Sequence, residues 1–84
     1  MTPVKVTLLT APACALCDQA KEVLERVGRE KELEVEIVSI ETGRGRQLMI
    51  DQQLAFPPGV LIEDEAFSFG RLSERRLRKR LKLS

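Results

Sequence analysis

The sequence has no histidine, no tryptophan and no tyrosine, and only two cysteines and three phenylalanines in 84 residues. Without histidine there is no Ser–His or Cys–His nucleophile pair and no His-based metal site. Without Trp or Tyr, the aromatic platforms on which single-stranded bases stack are scarce. Fourteen basic residues against thirteen acidic ones leave a net charge of +1, so no global field draws the chain to nucleic acid. Two cysteines cannot staple a disulfide scaffold, so regular elements must carry the fold. No apolar run approaches the roughly 20 residues that span a bilayer, and no basic-then-apolar leader precedes a small-residue cleavage site. The expectation is a soluble cytoplasmic monomer, with neither membrane nor nucleic acid as partner. What remains is an ordinary globular balance, 43% hydrophobic and 32% charged, enough for one small domain over residues 1–84.

Val4 to Thr10 is β-branched, with apolar alternation at Val4, Val6 and Leu8, and reads as a strand. Ala11-Pro12-Ala13 breaks it. From Cys14 the period changes, and Leu16, Ala20, Val23, Leu24 and Val27 form the apolar stripe of a helix. Leu33 to Ile40 returns to period two. Leu33, Val35 and Ile37 share one face of that strand, and Glu34, Glu36 and Val38 the other. Residues 41–45 read as a loop and Arg46 to Ala55 as a short helix, stopped by Phe56-Pro57-Pro58-Gly59. Val60 to Ile62 is a strand apolar on both faces. Ala66 to Phe69 returns as its hairpin partner, with Phe67 and Phe69 on one face. Ser73 caps a last helix from Glu74 to about Leu83, with Leu77 and Leu81 inward. The order β-α-β-α-β-β-α predicts an α/β fold: two parallel strands joined by a right-handed crossover, a hairpin, and one four-stranded mixed sheet flanked by helices.

Cys14-Ala15-Leu16-Cys17 lies between the first strand and the first helix. A helix N-terminus presents unpaired N–H groups and partial positive charge. A thiolate at Cys14 is stabilised there, its pKa lowered, and reacts at neutral pH. Cys17 lies about one helical turn on, close enough to attack a mixed disulfide formed at Cys14. Other readings stand beside this one. The cysteines can serve as small buried hydrophobes, or as half of a zinc or iron–sulfur site shared between chains or completed by outside thiols. The strand-then-helix placement favours redox chemistry.

The segment Thr10-Ala11-Pro12-Ala13-Cys14-Ala15-Leu16-Cys17-Asp18-Gln19-Ala20-Lys21-Glu22-Val23-Leu24 resembles the N-terminal stretch of glutaredoxin-like proteins of the thioredoxin-fold superfamily. Pro58-Gly59-Val60-Leu61-Ile62 resembles their second landmark, and Gly70 with the C-terminal amphipathic helix a third. The resemblance implies a minimal thioredoxin fold and a small thiol–disulfide oxidoreductase, with Cys14 as nucleophile and Cys17 as resolving thiol. It also implies a cis peptide bond at Pro58, which lies beside the cysteines. Pro58, Pro12, Ala13 and Gly59 are then the substrate-binding positions. Disulfides of proteins or small molecules are the expected partners. No bound cofactor is expected, and no metal, because the dithiol itself stores the electrons. The alternative is a non-catalytic binding module of the same fold, or the shared metal site.

The sequence departs from glutathione-binding members of that family. Thr10 and Ala11 stand where those have a lysine, Phe56-Pro57 where they have Thr-Val, and Gly70-Arg71-Leu72-Ser73 where they have Gly-Gly-x-Asp. A dithiol reductase is therefore the expected electron donor ahead of glutathione, although Arg44 or Arg46 could reach a glutathione carboxylate. Phe56 is expected to cap the core rather than line a groove. Asp18 suits a first helical turn on dipole grounds alone, as do the cations from Arg75 to Lys82 near a helix C-terminus.

Overall fold

The structure is a computed structural model that describes residues 2–83, so both ends of the expected domain, Met1 and Ser84, lie outside the described residues. In chain order it forms β1 (Val4–Thr10), α1 (Ala15–Gly28), β2 (Leu33–Ser39), α2 (Gly43–Asp51), β3 (Gly59–Ile62), β4 (Glu65–Phe69) and α3 (Glu74–Arg80). Among the described residues the strands make one sheet in the order β2-β1-β3-β4. β1 runs parallel to β2, with Leu8 level with Ile37, and antiparallel to β3, with Leu9 level with Gly59. β3 and β4 form the antiparallel hairpin. This is the element order and the mixed four-stranded sheet that the periodicities predict. Among the described residues, no helix is long and apolar enough to cross a membrane.

Alternation along β1 and β3 divides the core between the two faces. Val6 and Leu8 join Val60 and Ile62 beneath α1 and α3, where Ala20, Val23, Leu24, Val27, Leu72, Leu77 and Leu81 complete the larger cluster. Leu9 and Leu61 face the other way, with Val38 and Leu54 and the partly buried Ile40, Leu48 and Met49. Burial of each large apolar side chain contributes about 1.5–3 kcal/mol. The larger layer therefore dominates stability.

Five details differ from the sequence reading. α2 begins at Gly43, within the stretch read as a loop, and ends at Asp51. Thr42 is its N-cap, with Oγ1 accepting the Gly45 N–H at 3.0 Å. Gly45 packs so tightly that a Cβ there would lie 2.0 Å from the Ser39 carbonyl oxygen, so this glycine permits close approach rather than a loop. α3 stops at Arg80, because Lys82 turns the chain at φ 61° and Leu83 folds back onto the core. A β-bulge shifts the β3–β4 register between Val60 and Leu61. The extra residue separates the two β4 phenylalanines: Phe67 packs on the larger cluster, while Phe69 lies level with Gly59 and against Phe56. Val35 and Ile37 hold their expected face but are 41% and 54% exposed, because β2 is an edge strand that α1 does not fully cover. Leu16 leaves the α1 stripe and is 36% exposed, its place in the interior taken by Cys17.

Candidate active site

β1 delivers the chain to a tight turn at Ala11-Pro12-Ala13, where Ala13 takes the left-handed conformation, φ 51°. Cys14 follows with extended backbone and acts as the N-cap of α1. Its Sγ accepts the N–H of Cys17 at 3.1 Å, and its carbonyl accepts that of Asp18 at 3.2 Å. A sulfur thus takes the role that a serine or aspartate oxygen usually has at a helix start. Cys14 and Cys17 are joined as a disulfide, their Cα atoms 5.2 Å apart. The two sulfurs are not equivalent: Cys14 is partly exposed, and Cys17 is 2% exposed against the core.

The sheet brings a second segment to the same end. β3 runs antiparallel to β1 with Gly59 level with Leu9, so Pro58 enters the sheet at the end where β1 leaves it toward Cys14. The bond between Pro57 and Pro58 is cis. Pro58 is buried, and its carbonyl accepts the Gly70 N–H at 2.8 Å. Gly70 has φ 76°, and a Cβ there would lie 2.8 Å from the Phe56 ring. Phe56 is 50% exposed and meets Phe69 edge to face, with centroids 5.1 Å apart. The expectation that Phe56 caps the core is therefore overturned. The bulge carries Phe69 to this side of the sheet, and the pair forms a small aromatic surface.

Of the sequence-derived binding positions, Pro12 and Ala13 are exposed immediately before Cys14. Gly59 is buried in β3, where a Cβ would lie 2.8 Å from Leu54 Cδ1 and 3.2 Å from Leu9 Cδ1. It serves close packing of the smaller cluster. Arg44 forms two hydrogen bonds to the Glu36 carboxylate, at 2.6 and 3.0 Å, which lower the Glu36 pKa from the usual carboxylate range. Among the described residues, no three His, Cys, Asp or Glu side chains gather in a metal-binding group.

Gln19 escapes the sequence reading. Its amide donates to the Leu72 carbonyl at 3.0 Å and accepts the Leu72 N–H at 3.2 Å, pairing with that backbone as a strand would. The sequence does hold a signal for it. Gln19 lies three residues after Leu16 and four before Val23, on the flank of the apolar stripe, and a polar group held against a core needs partners. Through Leu72 and Gly70 it ties the helix that begins at the disulfide to the segment carrying Pro58.

Within residues 11–17 and 55–59, which end just before the exposed Asp18 on the α1 side, the exposed residues are Pro12, Ala13, Ala15, Leu16, Ala55 and Phe56. None carries a charge or a side-chain hydrogen-bond donor. The site is a disulfide at a helix N-terminus, with apolar residues before it and the Asp18 carboxylate after it.

Known proteins share this fold. The thioredoxin-like protein BC3987 has a crystal structure that superposes with a TM-score of 0.68, at 22% identity over 94% of this chain and 99% of that one. A point mutant of the same protein gives 0.67 at 21% identity over 93% and 96%. Glutaredoxin 1 from Francisella tularensis, solved with cacodylate, gives 0.59 at 22% identity over 94% and 95%. These likenesses establish a minimal thioredoxin fold. A search of curated proteins finds no match. The family model for the Glutaredoxin-like domain (DUF836) matches residues 5–82, nearly the whole chain, and the protein belongs to that glutaredoxin-like family.

Proposed function

We propose that the protein is a small thiol–disulfide oxidoreductase serving redox homeostasis, with Cys14 as the attacking sulfur and Cys17 as the resolving one. The observation that carries this reading is the asymmetric disulfide at the start of α1. In the reduced state the Cys17 N–H and the positive end of the helix favour the anion at Cys14, the sulfur that an outside disulfide can reach. The Cys14 thiolate attacks one sulfur of the substrate disulfide, forming a mixed disulfide and releasing the other sulfur as a thiolate. The Cys17 thiolate, freed of its proton to solvent, then attacks Cys14 Sγ, closing the Cys14–Cys17 disulfide and expelling the second substrate thiolate. Two electrons pass from the dithiol to the substrate, and an external dithiol or thiol restores them. No bound cofactor enters the cycle. A dithiol reductase is the favoured donor, because Thr10, Ala11 and Phe56-Pro57 stand where glutathione-binding members of the family have a lysine and Thr-Val.

Alkylation of the reduced protein near pH 6, mapped by mass spectrometry, tests the assignment. Label is expected at Cys14, and preferential labelling of Cys17 reverses the roles. Titration of the pair against glutathione and dithiothreitol buffers gives its potential. A brisk rate in a glutathione-coupled assay removes the preference for a dithiol donor.

A further inference from the structure

Resting on the oxidoreductase reading, we infer that Pro57 is a specificity-determining residue that leaves the Pro57-Pro58 backbone able to accept hydrogen bonds but not to donate them. An extended peptide seated beside a strand edge is ordinarily held by both an N–H and a carbonyl of its host. Here Pro57 and Pro58 are consecutive and neither has an N–H. Gly59, the next residue, already lies within the sheet, level with Leu9 on one side and Phe69 on the other. The Pro58 carbonyl is engaged by the Gly70 N–H at 2.8 Å. Among the described residues no backbone hydrogen bond reaches the carbonyl of the half-buried Pro57, and that carbonyl can only accept. A substrate peptide must therefore supply an N–H next to its reactive half-cystine, while its own carbonyl at that register finds no backbone donor. The side chains of Pro12, Ala13, Leu16 and Phe56 carry no donor. The substrate class that fits is a disulfide with apolar neighbours, held by packing on Leu16 and Phe56 and by one donated hydrogen bond. A peptide docked by full strand pairing does not fit.

The test uses the intact protein, reduced with dithiothreitol and freed of it, in single-turnover exchange. The substrates are a cystine-bridged peptide with apolar neighbours and bis(2-hydroxyethyl) disulfide, which has no amide. Pro57→Val and Pro57→Ala each restore an N–H. The ratio of peptide to hydroxyethyl rate constants is expected to rise about 3- to 10-fold in both variants, the worth of one hydrogen bond. An unchanged or lowered ratio overturns the proposal. A second arm needs no variant. The amides flanking the half-cystine are replaced one at a time by esters, and one replacement is expected to slow the parent protein about 3- to 10-fold. If neither ester slows exchange, the proposal fails even if both variants misfold. A parent protein that exchanges with neither substrate overturns the oxidoreductase reading, and this proposal with it, and is distinguished by the hydroxyethyl control.

Discussion

The two ends of the sheet are built from different chemistry. At the disulfide end, residues 11–17 and 55–59 contain no ionisable group other than the cysteines, and their partners are backbone amides and apolar surfaces. At the opposite end, where α1 finishes and β2 and β4 begin, side chains are tied by charge. Arg78 bridges Glu30 and Glu74, Arg26 reaches Glu74 at 2.8 Å, and Lys5 meets Asp64 at 3.0 Å. Exposed pairs of this kind are screened by solvent and contribute little to stability. The charged end therefore contributes to register more than to stability. The uncharged end keeps solvent-exposed apolar surface that would otherwise be a liability, which makes sense if partners approach there.

The sharpest way to break this contrast is to remove the chemistry without touching the fold. Cys14→Ser is expected to lower single-turnover disulfide exchange on the order of a thousandfold or more, while thermal unfolding of the reduced form stays close to that of the reduced parent. Cys17→Ser is expected to accumulate a mixed disulfide at Cys14, visible as a mass adduct. If Cys14→Ser exchanges normally, the two ends are not functionally distinct.

A second variant attacks stability away from the disulfide. Leu77 is fully buried beneath the sheet, and Leu77→Ala should cost about 2–5 kcal/mol in urea unfolding. Leu48→Ala, in the smaller layer and only partly buried, should cost roughly 1–2 kcal/mol. Equal losses would contradict the unequal division of the core.

Gln19→Leu tests the tie between the disulfide helix and the Pro58 segment. It leaves the Leu72 N–H and carbonyl without their side-chain partner, at about 1–3 kcal/mol. Amide hydrogen exchange at Leu72 should speed up first. Protection of Leu72 equal to that of the parent would show that the amide contributes nothing.

The smallest effect belongs to the charged end. Hydrogen bonds from Arg78 to Glu30, and from Arg26 and then Arg78 to Glu74, hold both carboxyls below the usual carboxylate pKa. Because the folded values are the lower ones, the pairs stabilise the fold above the unfolded carboxylate pKa. That contribution disappears as pH falls through the folded value. Unfolding midpoints should drop on acidification below about pH 4.5, and less steeply in Arg78→Leu than in the parent. Parallel curves would mean that these pairs are not coupled to folding.

Much of the fold is legible in the chain alone. Period-two alternation around Val6 and Leu8, the α1 stripe and the Ser73 cap are local signals, and each of these elements forms where its signal lies. The start of the second helix is not legible, because Gly43 and Gly45 look like loop residues. Only contact with the Ser39 backbone shows why a glycine is needed inside the helix. Leu16 and Phe56 read as core residues and lie at its rim, since hydrophobicity alone does not say which side of an element the neighbours cover.

The sequence by itself determined the order of elements, the family, and the two sulfurs at the start of α1, because those depend on spacing along the chain. The tertiary structure decided what lies across from them. The β1–β3 register set Gly59, next to Pro58, level with Leu9, the bulge moved Phe69 to the side of Phe56, and Gln19 found the backbone of Leu72, 53 positions away. Their pairing rests on sheet register and on which polar groups remain unpaired once the core has closed, and neither is written in any short stretch of sequence.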